Sequence, residues 1–186
     1  MEPRVLFWRR IDVEGFERLT LSRKGDLVEA RGAVLCVDEG GFRIDHAWTL
    51  GPDWRARALT IERWGLAGHG RLHLERDGDG WRVDGERRPD LDGAEEPDLS
   101  VTPFCNSLPI RRLDAGSGAP LTLDTAYVDG PALSVVRSRQ RYERIGPRAV
   151  RYVDLGVAKG FESELTLDED GLVVVYEHLF QRVGTG

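Results

Sequence analysis

The stretch TPFCNSLPIRRL, Thr102 to Leu113, decides how the rest of the chain reads. Thr102 followed by Pro103 pairs an N-cap residue with a first-turn proline, a standard helix start. Phe104 and Leu108 lie four apart, on one helical face. Pro109 cannot continue such a helix and biases Leu108 toward extended geometry. The spacing predicts one short helix over 103–108, followed by a strand from Ile110. Its apolar side chains suit a helix packed inside a sheet, an internal plug.

Outward from that stretch, everything reads as strand. Turn signals recur at VEG 13–15, KGD 24–26, DEGG 38–41, GPD 51–53, DGDG 77–80, DGP 129–131 and DEDG 168–171. Between them lie β-type segments near 4–11, 16–23, 27–37, 42–50, 54–64, 70–76, 81–84, 120–128, 133–145, 149–154, 160–167 and 171–183. Many short strands with regular turns imply an all-β sheet, barrel or roll. The clearest hairpin is LHLERDGDGWRV, with Leu72, Leu74, Trp81 and Val83 available for one face. Residues 86–99, ERRPDLDGAEEPDL, lack periodicity and read as a long polar loop. There is no internal repeat and no low-complexity tract.

At 186 residues the chain is expected to form one domain with a substantial core or a core plus a cavity. The net charge of −6 argues against nucleic acid, which needs a basic footprint. The basic residues are nearly all arginine, with lysine only at 24 and 159. That usage reflects either base composition or recognition of carboxylate and phosphate groups. Cys36 and Cys105 form no C-x-x-C motif and read as small buried hydrophobes. The opening MEPRVLFWRR has too short an apolar run for a signal peptide, and no segment approaches the ~20 residues that span a bilayer. A cytoplasmic location without a membrane span is expected.

Two strands carry suggestive faces. Alternation in SVVRSRQRYERI puts Arg137, Arg139 and Arg141 on one side and Val136, Ser138, Gln140 and Tyr142 on the other. In WRARALTIERW, Arg55 and Arg57 face away from Trp54, Ala56 and Ala58. Together with Arg111 and Arg112 these arginines could form a cationic rim for an anionic head group, or a solvated face with acidic neighbours. In LVEARGAVLCV, the small residues Val28, Ala30, Gly32, Val34 and Cys36 share a face that leaves room for the helix or for an acyl chain.

Enzyme and metal signatures are weak. His69 and His73 lie four apart on a strand, hence about 13 Å apart, too far to share a metal. His46 and His178 have no ligand-spaced partner. DGDGWRVDGERR has Arg82 and Arg88 where a calcium loop needs Gly and Glu. AGSG around Ser117 is not a G-x-S-x-G elbow. Asp92, Glu95, Glu96 and Asp98 could pair as catalytic carboxylates, although a polar loop would leave them facing solvent.

Several blocks, GFERLTL, WRARALTIE, GDGWRVDG, DLSVTPFCNSLPIRRL, QRYER and FESELTLDEDGLVVVYEHLFQRV, resemble a bacterial family named "putative glycolipid-binding", almost end to end. The resemblance implies a mainly β fold: a many-stranded antiparallel sheet rolled around a single short helix. This spiral β-roll is similar in outline to lipoprotein carriers and is often a dimer. Cys105 stands where the family pattern suggests a hydroxyl residue, and Glu177 where it suggests proline.

The resemblance and the residues together imply a non-enzymatic binding protein for an amphipathic ligand, a glycolipid or another lipid with a polar or anionic head, using no cofactor. The sheet interior would hold the tail. Arg55, Arg57, Arg111, Arg112 and Arg141, with Asn106, Gln140 and Tyr142, would hold the head. Arg112, sharing a face with Ile110, would meet a ligand anion or an internal carboxylate such as Glu162 or Glu164. Two rival readings are a hydrolase or isomerase using the loop carboxylates, and a dimeric protein-interaction module.

Overall fold

The computed structural model describes residues 2–113 and 118–185; Ser117 lies outside them. The chain runs through β1 (Arg4–Arg10), β2 (Gly15–Lys24), β3 (Leu27–Cys36), β4 (Phe42–Leu50), β5 (Ala56–Gly65), β6 (Gly68–Asp77), β7 (Gly80–Val83), β8 (Glu86–Arg88) and β9 (Ala94–Leu99). It continues through a single-turn helix, α1 (Ser107–Ile110), then β10 (Leu121–Asp129), β11 (Ser134–Gly146), β12 (Ala149–Asp154), β13 (Glu162–Leu167), β14 (Val173–Tyr176) and β15 (Phe180–Thr185).

These strands form one sheet in the order β8-β7-β6-β5-β4-β3-β2-β1-β15-β14-β13-β12-β11-β10-β9. Every neighbouring pair is antiparallel except β9 with β10. Period-two patterning gives the curled sheet an inner apolar face. In β4, Phe42, Ile44, His46, Trp48 and Leu50 are buried while the residues between them face out. The buried faces of the curled sheet enclose one core, into which Trp8, Trp48 and Trp81 are fully sunk. Each indole N–H has an acceptor: Val173 O at 3.0 Å, His46 Nδ1 at 2.9 Å and Ala94 O at 2.9 Å.

The expected hairpin is present, with Leu74 opposite Val83 and with Leu72, Leu74, Trp81 and Val83 all buried. The expected polar loop over 86–99 is not. It contains β8, a 3-10 turn at Pro89–Leu91 and the edge strand β9. The last strand of the sheet, β9, is thereby brought against β5 and β6. Ala56 N–H donates to Glu96 Oε2 at 2.9 Å, and the Arg76 guanidinium donates to the carbonyls of Ala56, at 2.8 Å, and Glu95. Pro97 is tolerated because β9 is an edge strand. The expected strand over 171–183 is interrupted at Glu177–Leu179, where His178 takes a left-handed φ of 68°. At the start of β11 the alternation slips, so Val135 is buried and Val136 exposed.

The plug exists but is displaced from its expected place. Residues 103–106 form turns, in which Phe104 N–H donates to Thr102 Oγ1 at 3.1 Å, and the helix occupies 107–110. Pro109 sits in the first turn of that helix, where its missing N–H costs nothing. No strand begins at Ile110: Arg112 N–H and Leu113 N–H continue the turn by bonding to Pro109 O and Ile110 O.

Four side chains of the plug reach different parts of the wall. Thr102 hydroxyl donates to Glu17 Oε1 at 2.8 Å, and Cys105 thiol to Asp98 Oδ1 at 3.0 Å. Asn106 Nδ2 donates to Tyr142 hydroxyl at 3.0 Å, and Ser107 Oγ accepts from Val173 N–H at 3.3 Å. Phe104 packs edge-on against Trp48, with ring centroids 5.8 Å apart.

The small face of β3 is filled from within the protein. A Cβ on Gly32 would lie 2.2 Å from the His46 ring and 3.0 Å from Glu17 Oε1. Because Trp48 donates to His46 Nδ1, the neutral imidazole carries its proton on Nε2 and donates to Glu17 Oε1 at 2.9 Å. Thr102→Val should therefore cost about 1–3 kcal/mol by removing a donor to a buried carboxylate. Phe104→Ala should cost about 3–5 kcal/mol through the cavity it leaves. Urea denaturation midpoints check both, and an unchanged midpoint for Thr102→Val would show that the plug does not depend on the Glu17 tie.

Candidate functional site: a cavity beside the plug

The plug leaves one side of the roll's interior unfilled. A cavity of about 210 Å³ lies there, bounded by the plug, by Asp98 of β9, Tyr127 of β10, Tyr152 and Asp154 of β12, Tyr176 of β14 and Phe180 of β15. The segment after β12 adds Val157 and Phe161. Its aromatic wall is continuous. Tyr152 contacts Tyr142, Phe161 and Tyr176 at centroid distances of 5.4, 6.2 and 5.8 Å, and Tyr176 contacts Phe180 at 6.2 Å. Neighbouring strands bring these rings together, as in the opposed pair Tyr142 and Tyr152.

The polar groups form two sets. In the first, Asn106 donates to Tyr142, whose hydroxyl donates to Gln140 Oε1 at 3.0 Å; Gln140 Nε2 then donates to Asp98 Oδ2. In the second, Asp154 organises the segment over the cavity. Its Oδ1 accepts from Gly156 N–H at 2.7 Å and Ala158 N–H at 3.1 Å, and its Oδ2 from Tyr152 hydroxyl at 3.2 Å. Leu155 N–H donates to Arg139 O at 2.8 Å and Val157 N–H to Ser138 Oγ at 3.2 Å, which clamps the segment to β11. The approach is so close that a Cβ on Gly156 would lie 2.6 Å from Arg139 N.

Burial raises the Asp98 carboxyl above its usual range, and the charge of Asp154 adds to the effect; hydrogen bonds from Cys105 and Gln140 pull the other way. Burial likewise raises the hydroxyls of Tyr127, Tyr142, Tyr152 and Tyr176, so all four remain neutral donors and acceptors. No arginine, lysine or histidine among the described residues lines the cavity. Among the described residues there is also no cluster of side chains suited to a metal.

The residues expected to hold a head group divide into separate places. Asn106 lines the cavity, with Gln140 and Tyr142 buried directly behind it. Arg112 meets neither Glu162 nor Glu164. It pairs with Glu96 at 2.7 Å and Glu95 at 3.5 Å, because the chain at 112 is still turning and has not entered a strand. Arg111 lies over the Trp54 ring, 3.5 Å from its centroid, and donates to Asp170 O. Arg55 and Arg57 line a different, shallow cleft with Asp53, Glu75 and Arg76. Arg141 pairs with Glu143 at 2.8 Å. The cavity residues Tyr127, Tyr152, Asp154 and Phe161 were missed by sequence reading, although YVDLG at 152–156 carries a signal in its tyrosine, aspartate and glycine.

A family model described as "Putative glycolipid-binding" matches residues 5–182. The fold is similar to the crystal structure of a DUF1089 family protein from Pseudomonas aeruginosa, with a TM-score of 0.78 and 32% sequence identity. The match covers 91% of this chain and 92% of that one. No curated protein matches.

Two outcomes are expected at this site. Gly156→Ala should destabilise by about 1–3 kcal/mol through the forced shift of the clamped segment, measured by chemical denaturation. An Asp98 carboxyl held above its unfolded value binds its proton more tightly when folded. Its contribution therefore favours the fold at low pH and declines as pH rises from the unfolded value, about 3.9, through the raised folded value. Carbon-detected NMR titration should place Asp98 above an ordinary aspartate, and Asp98→Asn should flatten the stability profile across that window.

Proposed function

The chain belongs to the "Putative glycolipid-binding" family, and we propose that it binds the hydroxyl-rich head of an amphipathic ligand in the cavity beside the plug, without chemical turnover. The observation that carries this reading is the lining itself: a wall of aromatic rings interrupted by Asp98, Ser100, Thr102, Asn106 and Asp154. A sugar ring presents apolar C–H faces and a rim of hydroxyls. Aromatic walls complement the former, and carboxylate and amide groups the latter. At about 210 Å³ the space suits a head group more than a whole amphiphile, and Val157, 48% exposed, marks the side by which a tail would leave.

The lining also favours a neutral head over an anionic one. Two acidic side chains with, among the described residues, no cation beside them offer phosphate or sulfate no partner. Asn106, Gln140 and Tyr142 serve this site directly or through the Asp98 chain. Arg55, Arg57, Arg111, Arg112 and Arg141 belong to the protein's own ion pairs, stacking contacts and outer clefts.

A second reading, a hydrolase acting on a polar small molecule, draws on one observation. Asp98 and Asp154 line the same cavity, and a carboxyl raised by burial is suited to donate a proton.

Calorimetric titration with octyl β-glucoside and octyl phosphate, both below their micellar concentrations, tests the binding reading. The glucoside should bind and the phosphate should not, and Val157→Trp should abolish glucoside binding with an unchanged melting curve. Equal or tighter phosphate binding would return the head group to the arginines. Release of octanol from the glucoside would favour the hydrolase.

A further inference from the structure

Three adjacent hairpins carry an apolar surface that the cavity does not use. The turns after β1, β3 and β5 all lie at one end of the sheet, because consecutive antiparallel strands reverse direction at alternate ends. Six large apolar side chains are exposed there. Ile11 (46%), Val37 (64%) and Leu66 (84%) stand in the turns; Phe16 (53%), Leu35 (62%) and Trp64 (36%) stand just behind them on the outer face. The cross-strand register sets the second row, with Phe16 opposite Leu35, Leu35 opposite Arg43, and Arg43 opposite Trp64. The turns touch: Val37 N–H donates to Glu14 O at 3.0 Å, and a Cβ on Gly40 would lie 2.3 Å from Leu66 Cδ1. A groove of about 610 Å³ runs between Phe16, Leu35, Val37 and Trp64. Apolar surface gathered this way marks an interaction site.

The surrounding charges decide what fits it. Arg9 pairs with Glu14 at 2.7 Å, and Arg10 and Arg43 pair with Asp12 and Asp45. The arginines at the rim are thus neutralised by their neighbours. Asp38 and Glu39, exposed in the β3–β4 turn, have no ion pair among the described residues, and Arg63, which shares a recess with Glu39 and Leu66, has none either. Two acids against one arginine leave the tip with a small acidic excess. Such a tip is repelled by an anionic lipid surface but meets favourably the outermost ammonium groups of zwitterionic phospholipid heads.

Apolar side chains carried on three neighbouring turns, with a second row behind them, suit a fluid apolar layer better than the flat, rimmed patch of a protein partner. Trp64, beneath the Arg43 guanidinium at 5.2 Å and beside His69, has the mixed apolar and polar surroundings of an interfacial tryptophan. We propose that this end of the roll docks on the surface of a zwitterionic lipid bilayer, inserting Ile11, Val37 and Leu66 with Phe16, Leu35 and Trp64 at the headgroup level. The inference is independent of what occupies the internal cavity.

Flotation of the full chain with phosphatidylethanolamine/phosphatidylcholine vesicles tests it. The protein should float with them, and replacing a third of the lipid by phosphatidylglycerol should reduce the bound fraction. A combined Ile11→Ser, Val37→Ser, Leu66→Ser variant should bind at least tenfold more weakly while melting like the parent. Leu66→Glu alone provides the same comparison should the triple variant fold poorly. Trp64 emission should shift to the blue with vesicles and be lost in Trp64→Phe. The proposal is overturned if the parent stays with the bulk solution, if phosphatidylglycerol strengthens binding, or if both apolar-tip variants float like the parent. It is equally overturned if vesicles do not bind and sedimentation velocity shows a dimer that the triple variant splits, because the occupant is then a second copy of the chain.

Discussion

A segment without ladder partners, buried inside a curled sheet, must have its polar groups satisfied by the surrounding wall. Residues 102–107 meet this constraint through Thr102 on Glu17, Cys105 on Asp98, Asn106 on Tyr142 and Ser107 on Val173. These contacts reach β2, β9, β11 and β14, no two of which are neighbours in the sheet. The plug therefore fixes the separation of strands that share no ladder. The wall is shaped to receive it. Gly32 leaves the space that His46 occupies, and His46 in turn orders Glu17 for Thr102. Removing one member leaves another buried group unpaired, which is why the cost of each tie exceeds that of an exposed hydrogen bond.

The contact of β9 with the β5–β6 hairpin obeys the same logic with charges. Glu96 is almost fully buried, and burial raises its carboxyl; the Ala56 N–H bond and the positive charges of Arg112, Arg76 and Arg55 oppose that shift. A buried carboxylate is tolerable only with such partners, and removal of one would leave an uncompensated charge. The arginine-rich composition is in this region an answer to internal acids. Exposed pairs such as Arg88 with Asp90 add little by comparison, since solvent screens them.

Much of the fold was legible because period-two patterning and turn residues act locally. Segments 42–50 and 149–154 coincide with β4 and β12, and most other strands shift by one or two residues. The plug was legible in kind but not in register. Proline is excluded from helix interiors, so Pro109 suggests a stop, whereas the helix begins at Ser107 and places Pro109 where no donor is required. Residues 86–99 were illegible because their acids look solvated. What buries Glu96 is Arg112, Arg76 and the backbone of Ala56, residues far away in sequence. At the candidate cavity the sequence points to Asn106, to Gln140 and Tyr142 behind it, and to Asp98 as a loop carboxylate, but not to the tyrosines or to Asp154. A stripe of arginines on β11 looks like a ligand surface until its register is known; Arg137 and Arg139 face Asp124 on β10 and share its carboxylate.

The location of the cavity follows from how the plug is held. Phe104 turns toward Trp48 and packs tightly there, while Thr102 and Asn106, held at their polar ends, leave the opposite side of the plug unfilled. Across that space the wall offers tyrosines, whose hydroxyls must find partners once buried. Tyr142 finds Gln140 and Asn106, and Tyr152 finds Asp154. The same demand that stabilises the wall thus brings carboxylates next to aromatic faces. Asp154 then also ties down Gly156 and Ala158, so the segment roofing the cavity and the acid lining it are positioned by one side chain. A solid apolar core would have satisfied the sheet equally well; a plug bound by polar ties produces a polar, aromatic recess as a direct consequence of its own anchoring.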